Sequence, residues 1–378
     1  MENSKNRMLF ITNLCAPYRV GLFELLAKRY KIKFLFFSAG EERYYDGPSV
    51  TGNFDNEYLS GFYLLPKVKI NPKLIKMLLF GNYTHIIISL NGPIPVLLSF
   101  LIGKLRGKKI ILWSSFWRHP STLFHKFSFP IVKFLYKKSN AIVVYGTHIQ
   151  KYLESIGVEP AKIFIGWQVQ NNKKFLTEVT SQQREKLKRR LEINNNKVIL
   201  FVGRLVEVKG LPYLVDAFKK LNNQQYTLLI IGSGPDEKLI DTNYTNIIHL
   251  QKISAEQLYL YYNLADVFVL PSITTDSFKE NWGFVVNEAM CQRCAIITSD
   301  AVGAGVGGLI EEGRNGYIVP EKDSEQLSIA LERILSDDKL LASMQQRSLE
   351  IISEWTYEKQ ASGFIQAINF ANNRNSNE

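Results

Sequence analysis

The sequence predicts an α/β protein made of two doubly wound, Rossmann-like domains that face each other across a cleft. Three observations lead there. The chain has 378 residues, more than a single core of about 100 to 200 residues usually holds. Short apolar runs rich in Ile, Val and Phe alternate with longer amphipathic stretches, the pattern of βαβ units around a parallel sheet. That alternation breaks at a charged segment near residues 178–196, QQREKLKRRLEINNN, and then starts again.

Taken in order, RMLFIT (7–12), KFLFF (33–37), HIIIS (85–89), KIILWS (109–114), AIVVYG (141–146) and KIFIG (162–166) read as buried parallel strands of a first domain, residues 1–175. KVILFVG (197–203), TLLIIG (227–232), NIIHL (246–250), DVFVL (266–270), AIITS (295–299) and YIVP (317–320) form the second set, in residues 176–355. The last segment, TYEKQASGFIQAINFANN (356–373), is helical and apolar on one side. It is expected to cap the second domain or to return to the first. Ligands of doubly wound sheets gather outside the carboxyl ends of the strands, which directs attention to the loops that follow them.

Charge is unevenly spread. Residues 1–175 carry 25 Lys/Arg against 9 Asp/Glu, a balance of +16, whereas the remainder carries 21 against 26, a balance of −5. Between Glu57 and Glu154 there are 14 Lys/Arg and no acid. A polyacid or an anionic membrane surface is the partner such a half suits. The basic residues sit among Leu, Phe and Ile, as in KVKINPKLIKMLLF (67–80), a mixture that favours a membrane surface over nucleic acid. A soluble basic face with snorkelling stems is the plainer alternative. Three cysteines, Cys15, Cys291 and Cys294, are too few for a disulfide framework and point to a reducing compartment. The N-terminal stretch lacks the apolar core of a signal peptide, and PIPVLLSFLIG (93–103) is too short to span a bilayer. A cytoplasmic, peripheral protein is therefore expected.

Chemistry concentrates in the second half. In KENWGFVVNEAM (279–290), Glu280 lies in a polar loop and Glu288 about a turn and a half into the helix that follows Gly283. A loop can fold Glu280 back over the helix start, where the amides of Trp282, Gly283 and Phe284 sit at the positive end of the helix dipole. Carboxylates that accept from hydroxyls, beside amides that donate to phosphoryl oxygens, suit a sugar joined to a phosphate. For an isolated pair, acids on a solvated helix edge would be the ordinary reading. Here VILFVGRLVEVKG (198–210) adds Gly203, Arg204 and Lys209 at a strand's carboxyl end, two cations suited to a diphosphate. LLIIGSGP (228–235) adds Gly232, Ser233 and Gly234, where backbone can approach a ligand closely.

These motifs, together with TNLCAPYRVGLFELLAKRY (12–30), YGTHIQKYLESIGVEPAKIFI (145–165) and SDAVGAGVGGLIEEGRNGYIVP (299–320), resemble glycosyltransferase family 4, the retaining transferases of the GT-B fold. The resemblance implies that Arg204 and Lys209 bind the donor diphosphate, that Glu288 binds the ribose, and that Glu280 with the following amides holds the donor sugar. It also implies that the GSGP turn and HLQKIS (249–254) approach the base. His119, in WSSFWRHP (113–120), is the candidate for a histidine near the donor sugar, and Arg19 the candidate for an acceptor or phosphate contact. The stretch GWQVQNNKKF (166–175) departs from the family pattern, so no role is assigned there. No cofactor and no metal are implied: the donor, a UDP- or GDP-sugar, is a substrate, and no Asp-x-Asp turn lies where a divalent ion would be needed.

The expected activity is thus metal-independent, retaining transfer of a sugar from a nucleotide-diphosphate donor to a glycan or lipid-linked acceptor in cell-surface polysaccharide assembly. Two other readings fit the same residues: a non-catalytic GT-B subunit serving a partner transferase, and a GT-B nucleotide-sugar epimerase or phosphorylase. No nucleic-acid module is recognisable. Cys291 and Cys294 form a C-x-x-C without further ligands nearby and read as packing residues.

Overall fold

The computed structural model describes residues 7–38, 50–65, 68–193, 196–240 and 244–373. The chain forms two compact units. The first comprises Met1–His119, Leu123–Gln170 and Thr356–Glu378, and the second Pro120–Thr122 and Asn171–Trp355.

In the first unit the order is β1 (Arg7–Thr12), α1 (Val20–Arg29), β2 (Lys31–Phe36), β3 (Asn56–Tyr58), β4 (Phe62–Leu65), β5 (Val68–Ile70), α2 (Pro72–Phe80), β6 (His85–Ser89), α3 (Pro93–Leu105), β7 (Lys109–Ser114), α4 (Leu123–Lys138), β8 (Ala141–Val144), α5 (Thr147–Ser155) and β9 (Ile163–Ile165). Seven strands make one parallel sheet in the order β3-β2-β1-β6-β7-β8-β9. The six apolar runs of the first half all became strands of it, because a parallel strand covered on both faces must be apolar nearly throughout. The seventh, β3, is short and half-buried and carries Glu57, so no apolar run marks it. The antiparallel hairpin β4–β5 was likewise unmarked.

The second unit runs α6 (Ser181–Arg190), β10 (Lys197–Val202), α7 (Leu211–Leu221), β11 (Tyr226–Ile231), β12 (Ile247–Leu250), α8 (Leu258–Leu264), β13 (Val267–Leu270), α9 (Phe284–Cys291), β14 (Ala295–Ser299), β15 (Gly316–Val319), α10 (Ser324–Leu335) and α11 (Asp338–Ser353). Its six strands, all parallel, take the order β12-β11-β10-β13-β14-β15. From β10 the chain winds outward to β11 and β12, then returns to lay β13 on the other side of β10. The sheet therefore reverses between β10 and β13, the kind of position at which doubly wound sheets bind their ligands. Its helices start on side-chain caps where the sequence provides them: Thr180 and Gln183 form a capping box on α6, and Asp337 caps α11.

A final helix, α12 (Tyr357–Asn373), belongs to the first unit. It packs on α1 and across β7, β8 and β9. Phe364, Ala367, Ile368 and Ala371 are fully buried, each large side chain contributing about 1.5–3 kcal/mol. The ring of Phe364 lies 5.8 Å from Phe10 and 5.5 Å from Trp113. Gly363 permits this approach, since a Cβ there would sit 2.3 Å from the Ile165 carbonyl oxygen. Lys109 donates to the last-turn carbonyls of Ala371 and Asn372, at 2.5 and 3.0 Å. Among the described residues, no helix is long and apolar enough to cross a membrane.

Candidate active site

The reversal between β10 and β13 is closed by direct contact of the loops on either side. Gly210, with φ +67°, starts α7 so close to the end of β13 that a Cβ would stand 2.0 Å from the Pro271 carbonyl oxygen. Ile273 N–H donates to the Val208 carbonyl at 2.8 Å. Lys209, between these contacts, extends its Nζ to Glu280 Oε2 at 2.5 Å. The two side chains are only 13% and 12% exposed. Ser272 Oγ donates to the same carboxylate oxygen at 3.4 Å. A cation and a carboxylate from different strand ends thus meet at the topological switch point, in a setting where charges interact more strongly than at a surface.

Glu280 is held from behind by the segment after β14. Its carbonyl accepts from Gly303 N–H at 3.0 Å, the Trp282 carbonyl accepts from Ala304 N–H at 2.7 Å, and Glu280 bridges Val302 in parallel. Trp282 is turned inward, its indole N–H donating to Asn287 Oδ1 at 2.9 Å. Both residues are buried, so the Trp282 side chain anchors the loop. Gly283, at φ +97°, makes the turn into α9. The first turn of any helix has N–H groups without intrahelical acceptors, aligned with the positive end of the dipole. Glu280 and the start of α9 are therefore neighbours, as the loop-folding expectation required. Glu288, on the same helix, is partly buried and accepts the hydroxyl proton of Tyr262 at 2.7 Å. Tyr262 comes from α8 and is fully buried. Burial, and then the Glu288 charge, push its phenol well above the ordinary tyrosine range, so it remains a donor that orients the carboxylate.

The third component is the turn after β11. Gly232 and Gly234 have φ of +151° and +153°. A Cβ on either would lie 1.8 Å from the Gly203 carbonyl oxygen or 2.2 Å from that of Leu205. Leu205 N–H donates to the Ser233 carbonyl at 2.8 Å, so the GSG turn and Gly203-Arg204-Leu205 are stitched together. Arg204 is exposed at this junction. Ser233 Oγ donates to Gln251 Oε1 at 2.9 Å, Gln251 donates to Glu237 Oε2 at 3.1 Å, and Glu237 Oε1 accepts from Gly234 N–H at 2.9 Å. The Gly234 amide, and then Gln251, hold the Glu237 carboxyl below its ordinary pKa. His249 Nε2 donates to the Gly232 carbonyl at 2.9 Å.

One unit thus brings together Gly203, Arg204, Lys209, Gly232, Ser233, Gly234, Glu280, Trp282, Gly283, Phe284 and Glu288. Arg19 and His119 lie in the other unit. Arg19 is buried, with Nη1 donating to Thr12 Oγ1, Asn13 Oδ1 and the Leu14 carbonyl at 3.1, 3.0 and 2.9 Å. Its guanidinium also lies 5.0 Å from the Trp113 ring centroid. His119 follows β7, with Nε2 on the His125 carbonyl oxygen and its ring 4.9 Å from that of Phe129. Since a carbonyl only accepts, the proton is on Nε2. Sequence reasoning missed Tyr262, Ser272 and Glu237, whereas Gln251 lies within HLQKIS (249–254), the segment expected to approach the base. Tyr262 sits in LYLYYNL, which reads as core; Glu237 alone carries a signal, an acid three residues after a Gly-Pro turn start. Cys291 and Cys294 are buried free thiols, and burial pushes both up.

Residues 183–350 match the family described as Glycosyl transferases group 1. The chain is 26% identical to alpha-D-kanosaminyltransferase of Streptomyces kanamyceticus over 67% of this chain and 67% of that protein. It is 31% identical to the capsular polysaccharide biosynthesis glycosyltransferase CapM of Staphylococcus aureus, over 39% of each chain. With several curated relatives, then, the similarity spans well under two thirds of their length. Among solved structures, Anabaena HepE in complex with UDP superposes with a TM-score of 0.72 at 16% identity, covering 96% of this chain and 99% of that one. The likeness to such structures gives the fold, two Rossmann-like α/β units of the GT-B type.

Proposed function

We propose that this protein, a GT-B glycosyltransferase by its fold and its similarity to group 1 transferases, moves a sugar with retention from a nucleoside-diphosphate donor to a glycan or lipid-linked acceptor in surface polysaccharide assembly. The observation that carries this reading is the Lys209–Glu280 pair at the switch point, beside the start of α9. Arg204 and Lys209 neutralise the diphosphate, with the α9 dipole adding to them. Glu280 accepts from hydroxyls of the donor sugar. Glu288, oriented by Tyr262, accepts from the ribose hydroxyls. Glu237 and Gln251 keep the GSG turn rigid under the nucleotide.

In the transfer step, the bond from the anomeric carbon to the phosphate oxygen breaks as the acceptor oxygen bonds to the same face of that carbon. The acceptor proton passes to the departing phosphoryl oxygen, so no protein base is required and the configuration is retained. Charge growing on the leaving diphosphate is met by Arg204, Lys209 and the α9 amides in place of a metal ion. His119, whose Nε2 is on a backbone carbonyl, is the candidate for a contact to a sugar hydroxyl. The UDP and UDP-glucose bound by HepE and the capsular role in the name of the S. aureus relative support the donor and acceptor classes.

A thermal-shift screen against UDP-, GDP-, ADP- and dTDP-sugars, without metal, tests the reading. One nucleotide should raise the melting temperature by several degrees, and Glu288→Ala should abolish the shift. No shift with any donor overturns it. With an acceptor in hand, an inverted product anomer, or activity lost to EDTA and restored by a divalent ion, overturns the retaining or the metal-independent part.

A further inference from the structure

The first unit displays large apolar side chains that its own fold leaves in solvent. Leu105 at the end of α3 is 87% exposed, Phe127 on α4 is 81%, Phe80 at the end of α2 is 77%, and Leu123 on α4 is 74%. They lie on three helices of this unit that touch one another in turn. α2 packs on α3, and Arg106 joins their carboxyl ends by donating to the Leu78 and Gly81 carbonyls at 2.7 and 3.1 Å. α3 meets α4 through the rings of Phe100 and Phe134, 6.0 Å apart. Along α4 the exposed residues Leu123, Phe127, Ile131 and Phe134 fall on one stripe at helical spacing. Exposed Lys126 and Lys137 project along one border of that stripe. Tyr136, on the opposite side of α4, is buried against Ser114 at 2.7 Å, so the apolar stripe points away from the core.

We propose that this face of α2, α3 and α4 docks on an anionic lipid bilayer, with Leu105, Leu123 and Phe127 entering the headgroup–acyl boundary and the lysines resting on lipid phosphates. Apolar side chains of this size in solvent mark an interaction surface. Charge decides which kind. The segment between Glu57 and Glu154, which contains all three helices, holds 14 Lys/Arg and no acid. A second copy of the chain would bring the same cations against themselves. A polynucleotide would satisfy the cations and leave the Phe and Leu side chains in water. A surface with phosphates above and hydrocarbon beneath satisfies both, the arrangement of an interfacial amphipathic helix. The inference goes beyond the sugar-transfer reading and does not depend on it.

Flotation of the full chain with vesicles of phosphatidylcholine, alone or mixed with phosphatidylglycerol, tests it at low and physiological salt. Binding should require the anionic lipid and weaken with salt. Leu105→Ser/Phe127→Ser should lower the partition coefficient at least about tenfold. Lys126→Glu/Lys137→Glu should remove the preference for anionic vesicles. All four sites are exposed, so melting temperature and donor-induced shift should stay at wild-type values. No binding to anionic vesicles, or wild-type binding by both variants, overturns the proposal. So does a wild-type dimer in sedimentation velocity that Leu105→Ser/Phe127→Ser makes monomeric, which would assign the face to protein contact. Vesicle binding without any donor shift would refute sugar transfer and leave the membrane face standing.

Discussion

Replacing Lys209 with Met keeps the length of the side chain and removes its charge, leaving Glu280 as a carboxylate only 12% exposed. At the 2.5 Å separation, an effective dielectric constant near 20 gives a gross attraction of about 7 kcal/mol. Desolvation of the two ions offsets much of that. What the single variant feels is the residual carboxylate, and removing one partner of such a pair costs about 3 kcal/mol. For a domain of this size the loss corresponds to about 6–12 °C in melting temperature. Glu280→Gln, which strands the ammonium instead, should cost a similar amount. In Lys209→Met/Glu280→Gln no ion is stranded, and stability should return to within about 1 kcal/mol of wild type. Donor affinity should not return, because neither the diphosphate cation nor the sugar-binding carboxylate is restored. Calorimetry of the four proteins, with and without the donor found in the nucleotide screen, separates the two effects. A Lys209→Met protein that melts within about 2 °C of wild type would refute the buried pair. A double variant that binds donor as wild type does would refute its role in binding.

Gly210→Ala sets a Cβ 2.0 Å from the Pro271 carbonyl oxygen at φ +67° and should cost about 3 kcal/mol or more. Gly313→Ala, at φ +73° with open space around it, should cost only about 1 kcal/mol; equal losses by urea titration would show that the loop contact is not tight. Tyr262→Phe removes the hydroxyl that orients Glu288 and should raise the donor Kd about tenfold, the worth of one hydrogen bond to a charged group; unchanged affinity by calorimetry refutes that orientation. His85 is buried in β6, where burial and then the Lys109 charge depress its pKa to about 4. The unfolded imidazole, near 6.5, takes up a proton first as pH falls, so stability is full above about pH 6.5 and declines by about 3 kcal/mol toward pH 4. Urea titrations of His85→Gln should show that part of the decline gone; an unchanged slope refutes it.

The parts of the fold that were legible in the sequence are those where one residue type answers one demand. Twelve apolar runs became twelve parallel strands, since a strand covered on both faces has no polar alternative. The glycines at 210, 232 and 234 marked the ends of strands because loops touch there without room for a Cβ. β3, with Asn56 and Glu57 at a half-buried edge, obeys no such demand and was invisible. Tyr262 shows the same limit at the site: nothing in LYLYYNL distinguishes the tyrosine that orients a carboxylate from its neighbours. Nor does RHP at residues 118–120 show that the His119 Nε2–H is already engaged by a backbone carbonyl, for that bond depends on where α4 brings His125.

Helix α12 reverses the relation between chain order and folding order. Apart from the three residues Pro120–Thr122, the second unit is one continuous stretch, Asn171–Trp355, closed at its neck where Asn172 donates to the Trp355 and Ile352 carbonyls at 2.9 and 3.3 Å. It can fold as soon as it leaves the ribosome. The first unit, although synthesised earlier, lacks the cover of β7, β8 and β9 until residues 357–373 arrive. At about 5–20 residues per second that is a delay of about 10–40 s, during which the apolar bed for Phe364 and Ile368 stands open to chaperones or to another nascent chain. A premature stop after Trp355 would therefore leave the later-made unit whole and the earlier-made one unfinished.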